Sequence, residues 1–104
     1  MNKYGLNAML TAKRSYGSAL AGLLLEAGMV VQGLPGCRAY IVGTDPLNPD
    51  NIYINEVWDT KADHDNALND PKVRELIKSA MPLLDGPPAK GLELEIYGGV
   101  GLQA

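Results

Sequence analysis

Apolar and polar residues alternate at the start of the chain. From Tyr4 to Thr11, Leu6, Ala8 and Leu10 fall on one side and Asn7 and Met9 on the other, which predicts a strand. After a turn at Lys13–Arg14, Ser15 is placed to cap a helix. Tyr16, Leu20, Leu23, Leu24, Ala27, Val30 and Val31 then recur at helical spacing. Gly17, Gly22 and Gly28 lie within that helix, each costing up to about 1 kcal/mol against Ala. Tertiary packing has to hold it, with close backbone approach a reason for a glycine or two. The sequence GLPG ends it. Cys37–Thr44 reads as a second strand, DPLNPDN as a turn-rich connection, and Ile52–Asp59 as a third strand, the two strands forming a hairpin. Thr60, with Asp63 three residues on, resembles the cap of a short helix ending near Asn69. Asp70 and Pro71 open another helix as N-cap and first-turn proline, and Val73, Leu76, Ile77, Ala80, Met81 and Leu84 form its apolar stripe. DGPP stops it. Gly91–Tyr97 is a last strand, with Leu92, Leu94 and Ile96 alternating against Glu93, Glu95 and Tyr97, and residues 98–104 are a tail that is flexible or touches a partner.

The order β-α-β-β-α-β predicts an α+β, ferredoxin-like split βαβ fold in a single domain over 1–104, with a four-stranded antiparallel sheet and helices on one face. The first and third strands are apolar on both faces. Leu6, Ala8 and Leu10 oppose Met9, and Ile52 and Ile54 oppose Tyr53 and Val57. A bare apolar sheet face on so small a protein would be a large exposed patch. A second copy, packed sheet against sheet about a two-fold axis, covers it, so a homodimer forming a dimeric α+β barrel is expected.

Composition narrows the function. The 104 residues are 46% hydrophobic and 20% charged, ordinary for one small globular core. A net charge of −3 with scattered Lys and Arg argues against a nucleic-acid partner. The longest apolar run, ALAGLLLEAGMVV, is broken by Glu26 and too short to span a bilayer, so no membrane partner is expected. The first ten residues lack the apolar core of a signal peptide, and the single Cys37 has no internal partner, which together suit a reducing cytoplasm. One His and one Cys without paired ligand spacing leave no metal site to expect. GGVG has no helix after it and GLPGC follows a helix, so neither is a phosphate loop. A nucleophilic pair of Cys37 and His64 is disfavoured, because nothing beside Cys37 lowers its thiol pKa.

The informative stretch is NEVWDTKADHDNALNDP, Asn55–Pro71, which carries the only tryptophan, Trp58, and the only histidine, His64, on either side of a strand-to-helix junction. Parity places Glu56 and Trp58 on one strand face with Ile52 and Ile54. Two readings are open. In the simpler one Trp58 fills the core and His64 is a solvated first-turn residue. In the other the junction is the lip of an active site.

The segments GCRAYIV, INEVWDTKADHDNAL, PKVRELI and AMPLLDGPP, in this order and spacing, resemble the antibiotic biosynthesis monooxygenase (ABM) domain family, nearest its quinol monooxygenase-like branch. The resemblance spans nearly the whole chain. It implies the fold just derived, a dimer through the sheets, and a pocket between sheet and helices in each subunit. It also implies a cofactor-independent reaction, in which O₂ oxygenates a small aromatic quinol or phenol that supplies the electrons. Under that reading Trp58, Ile77 and Met81 are substrate-binding. His64 is the candidate base, since an unperturbed imidazole titrates near neutrality, and Asn7 is a polar anchor for a substrate oxygen. Asp63 and Asp65 beside His64 would favour its charged form if they approach it, and so weaken it as a base.

Many members of that branch carry a helical His nine residues after the strand Trp. Here that position is Ala67, and His64 stands one turn earlier on roughly the same face. The haem-degrading branch uses a first-strand Asn, a helical Trp and a later His. Asn7 matches the first, but the others are Ala67 and Ile77, so no axial histidine is present for haem. The alternatives are a non-catalytic small-molecule binding module of the same fold, and a purely structural dimer whose interior is filled by side chains.

Overall fold

The computed structural model describes residues 2–88 and 91–102. Its elements are β1 (Lys3–Thr11), α1 (Gly17–Val31), β2 (Cys37–Asp45), β3 (Asn48–Trp58), α2 (Lys61–Ala67), α3 (Pro71–Ala80), a 3₁₀ turn (Met81–Leu83) and β4 (Leu92–Ile96). The strands pair antiparallel in the order β2-β3-β1-β4, the ferredoxin-like arrangement. The part of the tail at Gln103 and Ala104 lies outside the described residues.

Strand register decides which side chains meet the helices. Across β1 and β3, Tyr4 stands opposite Trp58, Leu6 opposite Glu56, Ala8 opposite Ile54 and Leu10 opposite Ile52. These face α1, α2 and α3. The residues between them, including Asn7, Met9, Tyr53 and Asn55, face the other way. β4 follows β1, with Gly5 opposite Leu94 and Asn7 opposite Leu92, so its leucines join the outer face.

Three features differ from the sequence reading, the first being that α3 ends at Ala80 and Met81–Leu83 form a 3₁₀ turn in place of its last turn. The DPLNPDN stretch is not a long connection. Only Pro46 and Leu47 turn, and β3 already begins at Asn48. A register shift between Thr44 and Asp45 accommodates Pro49, whose carbonyl accepts from Thr44 Oγ1 at 3.2 Å. Nor does Ser15 cap α1. The free amides at its start, Gly17 N and Ser15 N, donate to the Asp50 carboxylate at 3.0 and 3.1 Å. Gly17 is required there, because a Cβ would run into the Pro49 carbonyl. Thr60 and Asp70 do cap their helices, accepting from Asp63 N at 3.1 Å and from Lys72 N at 2.9 Å.

The β3–α2 junction is pinned from the sheet side. Asp59 accepts from Arg38 Nε at 2.7 Å and Nη2 at 2.9 Å, and from Lys3 Nζ at 3.2 Å. These cations hold its carboxyl down at about 2. The buried core forms two clusters. One gathers Ala12, Leu20, Ile52, Ala80 and Leu84, and the other Val31, Trp58, Ala67 and Val73.

Candidate functional site

A cavity of about 220 Å³ lies between the helix-side face of the sheet and the helices, lined by members of both core clusters. Its floor includes Leu10, Ile54, Glu56 and Trp58. Each helix contributes an alanine to the wall, Ala27 from α1, Ala67 from α2 and Ala80 from α3. Methyl side chains at three facing positions do not reach the middle, which leaves space that larger residues would occupy. The interior is therefore not filled by side chains, as a purely structural dimer would require.

Trp58 is both core and cavity wall, only 1% exposed. His64 also lines the cavity, and its side chain is only 12% exposed, so it is not a solvated first-turn residue. Its ring stands edge-on to Trp58 at 6.0 Å between centroids and 5.4 Å from Tyr4. Its Nδ1 lies 2.9 Å from Asp65 Oδ1, while Asp63 packs instead against Gly36. Lys61 reaches both Asp65 and Glu93 at 3.4 Å, and Glu93 accepts from the Tyr4 hydroxyl at 2.7 Å. This charged belt fixes the outer side of the imidazole and leaves the inner side to the cavity.

Glu56 is the site residue that the sequence reading passed over. It stands on the cavity floor, and Trp58 Nε1 donates to its Oε1 at 3.0 Å. Burial pushes its carboxyl above the ordinary range, although the indole donor and His64 act in the opposite direction. Parity alone held the signal, since an acidic residue shares a strand face with Ile52, Ile54 and Trp58. Tyr40, opposite Glu56 on β2, completes the titratable groups of the described lining, and burial raises its phenol. The Tyr40 ring lies against the backbone of Gly28, where a Cβ would come within 2.8 Å of it.

Ile77 and Met81 line the cavity while remaining 41% and 49% exposed, so they stand at its mouth together with Leu68. Asn7 is not brought to the site. Its neighbours Leu6 and Ala8 take the helix side of β1, so Asn7 faces the opposite side of the sheet, beside Asn55 and Leu92. The reading of Asn7 as an anchor in this pocket is corrected accordingly. Cys37 does not line the cavity either, and burial raises its thiol pKa. Among the described residues, no group of three or more His, Cys, Asp or Glu is arranged to hold a metal ion. Among them too, no helix is long and apolar enough to cross a membrane.

The family model described as antibiotic biosynthesis monooxygenase matches residues 4–79. The chain belongs to the antibiotic biosynthesis monooxygenase family. The crystal structure of a Chloroflexus aurantiacus protein, provisionally named an antibiotic biosynthesis monooxygenase, superimposes with a TM-score of 0.87 at 34% identity, covering 97% of this chain and 99% of that one. A Nitrosomonas europaea protein of unknown function gives 0.80 at 25% identity, over 100% and 97% of the two chains. A third structure, from Caulobacter crescentus and provisionally named in the same way, gives 0.83 at 14% identity over 93% and 92%, a likeness of fold alone. No curated protein matches the chain. Ala67 is a buried part of the cavity wall, and His64 reaches the same cavity from one turn earlier.

Proposed function

We propose that this ABM protein is a monooxygenase that uses O₂ to oxygenate a small aromatic quinol or phenol inside the cavity, without a bound cofactor. The observation that carries the reading is an unfilled apolar cavity with one polar end, where Glu56 and His64 stand beside the Trp58 indole. A flat ring would lie against Trp58, with Ile77 and Met81 at the entrance. At about 220 Å³ the space is below the roughly 300–1,000 Å³ of pockets for drug-sized ligands, so one or two fused rings are favoured.

The chemistry asks for two things from the protein. The first is removal of a hydroxyl proton, which makes the ring a better electron donor to O₂. The polar end, Glu56 with His64, is suited to it. The second is exclusion of water from the reduced oxygen species, which the apolar wall provides. For a 1,4-naphthoquinol the balance is quinol plus O₂ giving hydroxynaphthoquinone plus water. Four electrons leave the quinol, one oxygen atom forms a new C–O bond, and the other leaves as water.

The working unit is proposed to be a homodimer. Met9, Ile41, Tyr53, Leu92 and Leu94 are exposed on the sheet face away from the helices, and a second copy packed on that face would cover them. The test of function is O₂ consumption over a panel of reduced quinols and phenols, with autoxidation subtracted. Uptake above autoxidation that falls on His64→Ala supports the reading. Ligand binding without uptake across the panel would favour a binding module of the same fold.

A further inference from the structure

We infer that Glu56, rather than His64, is the group that takes the hydroxyl proton of the bound ring, with Trp58 as the residue that positions its carboxylate. The inference rests on the monooxygenase reading above and assigns a role within it. The indole Nε1 can only donate, so its 3.0 Å contact fixes Oε1 as an acceptor. Among the described residues no protein hydrogen bond reaches Oε2, which leaves it for a ligand hydroxyl. The imidazole has one nitrogen already engaged, Nδ1 by Asp65, and its ring is set between Tyr4 and Trp58, so charge balance has to decide between the two groups.

Charge balance favours the same assignment. When a carboxylate takes the proton, the O–H bond of the ring breaks and a carboxyl O–H forms. One negative charge moves from Glu56 to the ring oxygen, and none is created. A neutral imidazole in that role would create a separated ion pair within an apolar cavity, which is costly to solvate there. The titratable groups that face Glu56 are Tyr40 and Cys37 from β2, Tyr4 from β1 and His64 from α2. Burial is the leading cause holding both tyrosines and the cysteine in their protonated forms. Among the described groups that face Glu56, His64 is the one whose charge would favour the ionised carboxylate. The site then selects a ring that enters neutral, carries a hydroxyl, and bears no acidic substituent to oppose the carboxylate.

The experiment compares wild type, Glu56→Gln and Trp58→Phe in quinol-dependent O₂ uptake across pH. Glu56→Gln keeps an acceptor oxygen for the indole. Its kcat is expected to fall about 10²–10⁴-fold, with KM within a few fold and the acid limb of the pH profile gone. Trp58→Phe removes a donor that favours the ionised carboxylate, so the acid limb should move to higher pH. The second measurement titrates bound 4-nitrophenol by its absorbance. Removing the carboxylate should lower the pH at which the bound phenol ionises in Glu56→Gln. Wild type without turnover counts against the monooxygenase reading. Wild-type turnover that Glu56→Gln retains, with the acid limb unchanged, overturns the assignment of Glu56 alone. So does an identical nitrophenol titration in the two proteins.

Discussion

Trp58 donates from its indole Nε1 to the carboxylate of Glu56 at 3.0 Å, two residues apart on one strand. The contact follows from strand parity, which turns both side chains to the helix side of β3. It holds an acidic group in an apolar cavity where that group would not otherwise settle. Burial at this site therefore works against the ionised carboxylate.

The first prediction concerns stability at Glu56. Burial raises the carboxyl pKa in the folded state, so the native protein binds this proton more tightly than the unfolded chain does. Stability from this group falls as pH rises through the ordinary carboxylate range to the folded value, and the full cost remains above it. Glu56→Gln is expected to be more stable than wild type at pH 7–8, and no more stable once the pH is below the ordinary carboxylate value of about 4.3. Urea unfolding of both proteins at several pH values checks this. A wild type that is the more stable at neutral pH would contradict it.

Asp59 has the opposite sign. Arg38 and Lys3 hold its folded carboxyl at about 2, below the ordinary aspartate value of 3.8. Its contribution is present above the unfolded value and is lost as pH falls from about 4 toward 2. Asp59→Asn should flatten that part of the acid unfolding curve and lower stability at neutral pH. An unchanged curve between pH 4 and 2 would show that the three-residue cluster does not contribute.

The mouth can be closed without harming the core. Ile77 and Met81 are exposed enough to accept larger side chains. Met81→Trp or Ile77→Trp is expected to change unfolding free energy by about 0.5 kcal/mol or less, as surface substitutions do. Ligand affinity should fall tenfold or more. Isothermal titration with a naphthol, beside urea unfolding, separates the two effects. Unchanged affinity in both variants would place the entrance elsewhere.

The outer sheet face is tested by charge. Tyr53→Lys with Leu94→Glu puts ionised groups on the face proposed to meet a second copy. Sedimentation should show a dimer for wild type and a monomer for the double variant. A wild-type monomer at micromolar concentration would overturn the dimer.

Much of the fold was legible because each element carries its own period. The cap residues Thr60 and Asp70 were local signals and did what local chemistry suggests. Ser15 failed as a cap because Asp50, distant in sequence, supplies the carboxylate instead. The two prolines near Asp50 looked like a loop, yet a strand irregularity absorbs Pro49. Within the site, parity already set Asn7 apart from Leu6 and Ala8, and the family resemblance outweighed it. Glu56 was visible on the correct face but had no reason to stand out until the cavity appeared. The cavity was implied by the family resemblance alone, since no local pattern along the chain signals it. Alanines on three helices become a void only when the helices bring them together. The burial of His64 likewise depends on Tyr4, far off in the chain.

The most direct test supplies ¹⁸O₂ to the protein with a reduced 1,4-naphthoquinol, and follows product mass, water label and hydrogen peroxide. Monooxygenation predicts hydroxynaphthoquinone carrying one labelled atom, one labelled water per quinol, a rate above autoxidation, and loss of that rate in Glu56→Gln. Unlabelled quinone with hydrogen peroxide, formed at the autoxidation rate, would contradict it.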